Sequence, residues 1–150
     1  MSVNAYFEEL RAKIVGRPVT DRQLATNSLS LWIDIVPGDA GIGLTIWLNP
    51  AWNVVGPDCV LAGSMQAQEE DDESGWDSVS AAVDLLVGLT VQSLEIEPIT
   101  GDLLISLGGG VAVRTFASDP RETDHWRIKD YSSGDSLSGS PNGLQINRAT

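Results

Sequence analysis

Four scarcities limit what this chain of 150 residues can do. Cys59 is its only cysteine, so no internal disulfide forms, and cysteine usage gives no sign of an oxidising compartment. His125 is its only histidine, and no thiol pair or ligand-spaced carboxylate set accompanies it, so no zinc or iron site and no cofactor is expected. Lysine and arginine number 9 against 21 acidic residues, for a net charge of −12. Such a surface repels phosphate backbones and anionic membranes, because contact would gather like charge instead of releasing counterions. Nucleic acid and membrane are therefore not expected as partners. No apolar run approaches the ~18 residues of a membrane span. The segment from Met1 to Glu9 lacks the basic and apolar regions of a secretory signal, so a cytoplasmic location is expected.

What the chain does have is a resemblance to itself. At a shift of 72 residues, Ile14-Val15-Gly16-Arg17-Pro18-Val19 falls on Leu86-Val87-Gly88-Leu89-Thr90-Val91, and Leu31, Ile33 and Ile35 fall on Leu103, Ile105 and Leu107. After small gaps, Trp52-Asn53-Val54 meets Trp126-Arg127-Ile128, and Leu61-Ala62-Gly63-Ser64 meets Leu137-Ser138-Gly139-Ser140. The shared positions are apolar, Gly and Trp, the residues that build a fold, while reactive side chains hardly recur. The expectation is an α+β protein in which a helix followed by an antiparallel β-meander is duplicated. The two copies would pack as one pseudo-two-fold domain over residues 1–150, with repeat 1 at about 1–64, an acidic linker at 65–74 and repeat 2 at about 75–147. A chain of this length supports one core, and half of it would be marginal alone.

Local patterns fill in this plan. Val3, Phe7, Leu10 and Ile14 recur at helical spacing, with Arg11 and Lys13 near the end and Gly16 as the C-terminal cap. Trp76, Val79, Val83 and Leu86, closed by Gly88, repeat this logic. Leu29, Leu31, Ile33 and Ile35 alternate along one strand, and Leu44, Ile46 and Leu48 along the next. Pairing Val36 with Gly43 sets Ile35 against Leu44 and Trp32 directly opposite Trp47. In the second copy Leu103, Ile105 and Leu107 pair with Val111 and Val113 around Gly108-Gly109-Gly110, where positive φ is needed. Further strands are expected at Val19–Ala25, Trp52–Val55, Cys59–Ser64, Val91–Glu97, His125–Lys129 and Gly143–Asn147. Residues 65–84 carry −7 of the net charge. Within them Gln66 to Ser74, including Glu69, Glu70, Asp71, Asp72 and Glu73, has no periodicity and reads as solvated chain without regular structure.

Motifs with chemical meaning are few. Gly134-Asp135-Ser136-Leu137 spells the nucleophile block of one esterase family, but a serine nucleophile needs a base and oxyanion donors, and no histidine follows it. His125, between Asp124 and Trp126 and near Glu122, is the single candidate base or ligand, set against a framework role at the start of the Trp126 strand. Glu69 to Glu73 lacks the alternate spacing and central glycine of a calcium loop, and Gly108 to Gly110 lacks the Lys-Ser/Thr and helix of a phosphate loop. Trp32 and Trp47 share the sheet face away from the Leu/Ile layer. They are either aromatic anchors for a partner or the centre of a second small core covered by a helix or the other copy.

The Gly-x-x-Val opening at Gly16 and Gly88, the Leu-x-Ile hairpin, the Trp126-Arg127-Ile128 strand and the closing Gly139-Ser140-Pro141-Asn142-Gly143-Leu144-Gln145-Ile146 resemble a group of small uncharacterised bacterial proteins. Similar sequences occur among candidate immunity proteins of contact-dependent and polymorphic toxin systems. The resemblance runs through framework residues and implies no functional residue. The expected function is a non-enzymatic acidic binding protein, of the toxin-neutralising immunity kind, that occludes a partner protein with a basic surface. Its candidate partner-binding residues are Trp32, Trp47, Glu69, Glu70, Asp71, Asp72 and Glu73. Complementary charge would speed encounter and exclude wrong partners. The alternatives are a structural or regulatory self-associating domain, and a small hydrolase or ligand-binding protein centred on His125.

Overall fold

The computed structural model describes residues 1–34, 43–67, 73–117 and 119–149. Helix α1 (Val3–Ile14) begins at Ser2, whose hydroxyl accepts a hydrogen bond from the Ala5 amide at 3.1 Å, and it buries Tyr6, Phe7, Leu10 and Ile14. Gly16 follows at φ 91°, the left-handed position that stops a helix and that a side chain would disfavour. Helix α2 (Glu73–Asp84) buries Val79 and Val83, and Gly88 after it also has φ 91°. The expectation that 66–74 lacks regular structure fails at both of its ends. Residues Ser64–Ala67 form a 3-10 turn, and Glu73 and Ser74 already belong to α2. A carboxylate at the start of a helix is favoured by the amide dipoles, so the end of an acidic run suits a helix N-terminus as well as it suits solvent. Glu69, Glu70, Asp71 and Asp72 lie outside the described residues.

Eleven strands are described: β1 (Val19–Ala25), β2 (Ser28–Ile33), β3 (Leu44–Leu48), β4 (Trp52–Val55), β5 (Val60–Gly63), β6 (Val91–Ile96), β7 (Leu103–Leu107), β8 (Ala112–Thr115), β9 (Trp126–Asp130), β10 (Ser136–Ser140) and β11 (Gly143–Asn147). They form two antiparallel sheets, one of six strands in the order β1-β2-β3-β9-β10-β11 and one of five in the order β5-β4-β8-β7-β6. The class is α+β. The expected meanders divide: β1 to β3 and β6 to β8 are consecutive neighbours, whereas β4-β5 and β9-β10-β11 each join the other sheet. Strand β10 is not among the expected strands, because its Ser-Leu-Ser-Gly-Ser sequence has small residues where a strand usually has bulk.

Both sheets and both helices contribute to one hydrophobic core. Helix α1 packs on β6, β10 and β11, and α2 on β1 and β5, so each helix bridges the two sheets along one side. Two indoles tie the sheets further. Trp52 on β4 donates from Nε1 to the Asn27 carbonyl in the β1–β2 turn at 2.8 Å, and Trp126 on β9 donates to the Gly101 carbonyl in the β6–β7 turn at 2.7 Å. Both rings are fully buried, where an unpaired indole N–H would be costly. Where the helices end, Pro18 and Thr90 form an antiparallel bridge. Gly16 and Val19 exchange hydrogen bonds of 2.8 to 2.9 Å with Val91, Gly88 and Leu89 across it.

The first hairpin departs from the expected register. Trp32 pairs with Thr45, Ser30 with Trp47, Leu31 with Ile46 and Ile33 with Leu44, so the strands are offset by two residues and the indoles lie diagonally instead of face to face. A shift of two preserves the faces, which is why apolar alternation alone could not distinguish the registers. Ile35, Val36 and the rest of the expected turn lie outside the described residues. The second hairpin agrees with expectation: Ile105 pairs with Val113 and Leu104 with Arg114, around a Gly108–Gly110 turn with φ 75° at Gly109 and Gly110.

Candidate functional site

The six-stranded sheet has an inner face of Leu, Ile and Trp and an outer face that alternation forces to be different. Strand β9 lies beside β3 with Thr45 opposite Lys129 and Trp47 opposite Arg127. One outer row therefore reads Asp21, Trp32, Thr45, Lys129, Ser136, Asn147, and the next Gln23, Ser30, Trp47, Arg127, Ser138, Gln145. Ser30, Thr45, Ser136 and Ser138 lie low on this face and are buried, whereas Trp32 and Trp47 are half-buried. The indoles are thus partly open to solvent and do not centre a covered second core.

Trp47 is held firmly. Its Nε1 donates to Asn49 Oδ1 at 2.7 Å, which also accepts from Ser28 Oγ at 3.0 Å, while Asn49 Nδ2 donates to the Asp124 carbonyl at 2.6 Å. Arg127 Nη2 meets Asp124 Oδ2 at 3.0 Å, and Lys129 Nζ stands 5.0 Å from the centre of the Tyr131 ring. Thr45, Trp47, Asp124, Arg127, Lys129 and Tyr131 enclose a hollow of about 230 Å³. An aromatic ring fixed by its own hydrogen bond loses little freedom on contact, as a binding hot spot requires. The hollow carries two cations and one carboxylate, a local excess of positive charge on a molecule of net −12. Arg127, Lys129 and Tyr131 did not stand out in the sequence. They alternate with Trp126, Ile128 and Asp130, but only sheet order puts them beside Trp47.

The remaining candidates do not converge. His125 is buried at 2% exposure. Its Nδ1 is 2.7 Å from Glu122 Oε2, and its Nε2 is 3.8 Å from Asp102 Oδ1, which accepts from Thr115 Oγ1 at 3.0 Å. The ring is enclosed at the end of β9 next to Gly139, where the His125 amide donates to the Gly139 carbonyl at 2.9 Å. Ser136 pairs with Lys129, four residues along β9 and so roughly 13 Å from His125 at about 3.3 Å per residue. Asp135 is already engaged, accepting from Arg148 at 3.0 Å and from the Ala149 amide at 2.8 Å, and these contacts hold its carboxyl below the ordinary value. Ser136, Asp135 and His125 are therefore not assembled as a nucleophile, orienting group and base. No group of three or more His, Cys, Asp or Glu suited to a metal occurs among the described residues.

A second ionic cluster is structural. Lys13 donates to Asp130 Oδ2 at 2.7 Å, and Ser132 donates to Oδ1 from its amide at 3.0 Å and its hydroxyl at 2.7 Å. Burial pushes the Asp130 carboxyl up, but these donors outweigh it and leave the group below its ordinary value, while the Asp130 bond raises Lys13. Tyr6, beside them, is raised by burial and by the charges of Asp135 and Asp130.

Set against protein-family models, curated proteins and solved structures, the chain matches none of them.

Proposed function

We propose that this protein is a non-enzymatic binding protein that recognises another protein through the outer face of its six-stranded sheet, with Trp47 as the anchor. The observation that carries the reading is a half-buried indole fixed to Asn49 at 2.7 Å and flanked by Arg127, Lys129 and Tyr131 on an otherwise low, hydroxyl-lined face. The net charge of −12 favours a partner that is basic overall, because long-range attraction speeds encounter whatever the local contacts are. A cytoplasmic immunity protein that occludes a basic toxin is the specific form of this reading that the framework resemblance supports.

The same proposal includes an origin by duplication of an α-plus-five-strand unit, α1 with β1–β5 and α2 with β6–β10, to which the second copy adds β11, with the copies interlocked about a pseudo-two-fold axis near Pro18 and Thr90. Its support is the matched order of elements, the reciprocal bonds of residues 16–19 and 88–91, and the parallel roles of Trp52 and Trp126. Each half would then need the other's strands to fold. Residues 1–67 expressed alone should be unfolded and should gain structure when mixed with residues 73–150; a folded, monomeric 1–67 would sink the interlocked reading.

The functional test compares wild type and Trp47→Ala as immobilised baits in native lysate. A basic protein should be retained by wild type at low salt and released as salt rises, and Trp47→Ala should lose it about tenfold faster, since hot-spot truncations remove roughly 1–2 kcal/mol or more. Retention indifferent to both salt and Trp47 would refute the reading.

A further inference from the structure

A larger depression, of about 520 Å³, opens elsewhere, between the first half of α1, the end of β6 with its following turn, and the start of β11. Its floor is apolar. Phe7 is buried there, and Ile96 and Leu144, packed against the core, are half-buried. Its rim carries Glu8, Glu95 and Glu97 against a single cation, Arg11, which is already 3.4 Å from Glu8. The volume falls within the roughly 300–1,000 Å³ typical of ligand pockets.

An independent feature borders the same depression. The turn from Glu97 to Gly101 is bound to itself: Glu97 Oε2 accepts from the Ile99 amide at 3.0 Å and the Thr100 amide at 2.6 Å, and the Gly101 amide donates to the Glu97 carbonyl at 2.9 Å. The bonds from Thr100, and then that from Ile99, hold the Glu97 carboxyl below the ordinary carboxylate value, so it stays charged. Gly101, at φ 74°, has no room for a side chain against the Ser140 carbonyl. This rigid frame holds Ile99 at 87% exposure, the highest of any large apolar side chain among the described residues. An isoleucine whose backbone is already fixed, held in solvent beside an apolar trough, is organised for insertion into something else, because only its side-chain rotamers remain to be ordered on contact. Scattered exposed apolar residues need no explanation, but one on a self-bonded turn adjoining an apolar depression is not scattered.

We infer that this depression is a second docking surface, taking a basic, aliphatic segment of a partner protein, with Ile99 entering that partner. Aliphatic side chains of the segment cover Phe7, Ile96 and Leu144, while lysine or arginine stems lie along the same apolar floor and bring their charges to Glu8, Glu95 and Glu97. This assignment rests on the reading that the partner is basic, and it places the acidic complementarity here, away from the Trp47 face with its two cations.

The test uses the full chain and a short peptide of alternating lysine and leucine, with an all-lysine peptide as control, observed by amide chemical shifts and by titration calorimetry. Shifts should concentrate in residues 4–11, 95–101 and 143–144, and the all-lysine peptide should bind several-fold more weakly. Glu95→Lys should weaken binding by about tenfold and Ile99→Ser by about fivefold, as expected for a charge reversal and a truncated anchor. Asp77→Lys on exposed α2 makes the same change in net charge and should alter affinity less than about twofold, since beyond a Debye length of roughly 8–10 Å exposed charges are screened. Equal loss in Asp77→Lys and Glu95→Lys, shifts spread over the acidic surface, or no binding would overturn the inference. Because the probe is a defined peptide, such a failure leaves the lysate experiment on Trp47 unaffected.

Discussion

Gly139 is the position where one added methyl group should do the most damage. It pairs with Trp126 across β10 and β9, it is buried, and it does not occupy left-handed backbone, so its requirement is one of space. A Cβ built there would overlap the Trp126 ring, and that ring cannot move freely: it is fully buried and its Nε1 donates to Gly101 at 2.7 Å. Gly139→Ala must therefore overpack the core, at about 1–3 kcal/mol, or tilt the indole. Tilting separates the N–H from the Gly101 carbonyl, for roughly 1–3 kcal/mol if both are left unpaired. Either response predicts about 1–3 kcal/mol, which for a urea slope near 2 kcal/mol/M moves the unfolding midpoint by roughly 0.5–1.5 M. The assay is urea denaturation followed by tryptophan fluorescence and circular dichroism, with Trp126→Leu and the double variant completing a cycle. Removing the large ring should relieve the alanine, giving a coupling above about 1 kcal/mol. A Gly139→Ala midpoint within roughly 0.3 M of wild type, or strict additivity in the cycle, would show that ring and glycine do not constrain each other.

Trp52→Phe should cost about 1–3 kcal/mol by removing the donor to Asn27 within a buried site, measured as a lowered urea midpoint. Asp130 has a folded-state value below the ordinary one, so its contribution is present above pH of about 4 and lost as pH falls through that depressed value. Midpoints measured from neutral to acid should show the gap between wild type and Asp130→Asn closing below that point; a gap constant with pH would refute the assignment. His125→Ala should lower stability by about 2–4 kcal/mol through an emptied buried site while leaving the Trp47 face able to bind. Stopped-flow binding checks the acidic run: replacing Glu69, Glu70, Asp71 and Asp72 with serine should slow association with a basic partner and change dissociation little.

Much of the local structure follows from sequence alone, because it depends on neighbours along the chain. The bounds expected for β1, β4 and β11 coincide with those observed, and Gly16 ends α1 where a left-handed residue is required, whereas α2 stops at Asp84 and reaches Gly88 only through a run of turns. Alternation assigned Trp32 and Trp47 to one face of their hairpin, since side-chain period is a property of any strand. It did not give their pairing, because a two-residue shift keeps every apolar residue inward. Nor could it show that the hairpin's third neighbour is β9, eighty residues away in sequence, which brings Arg127 and Lys129 to Trp47 and groups residues that are unremarkable in sequence. The same limit explains His125, whose flanking carboxylates suggested chemistry until packing enclosed the ring between Glu122 and Asp102. Composition, periodicity and turn residues determine which segments become helix or strand; which strands become neighbours depends on how the two sheets share one core, and that is a contest among distant contacts that no local pattern records.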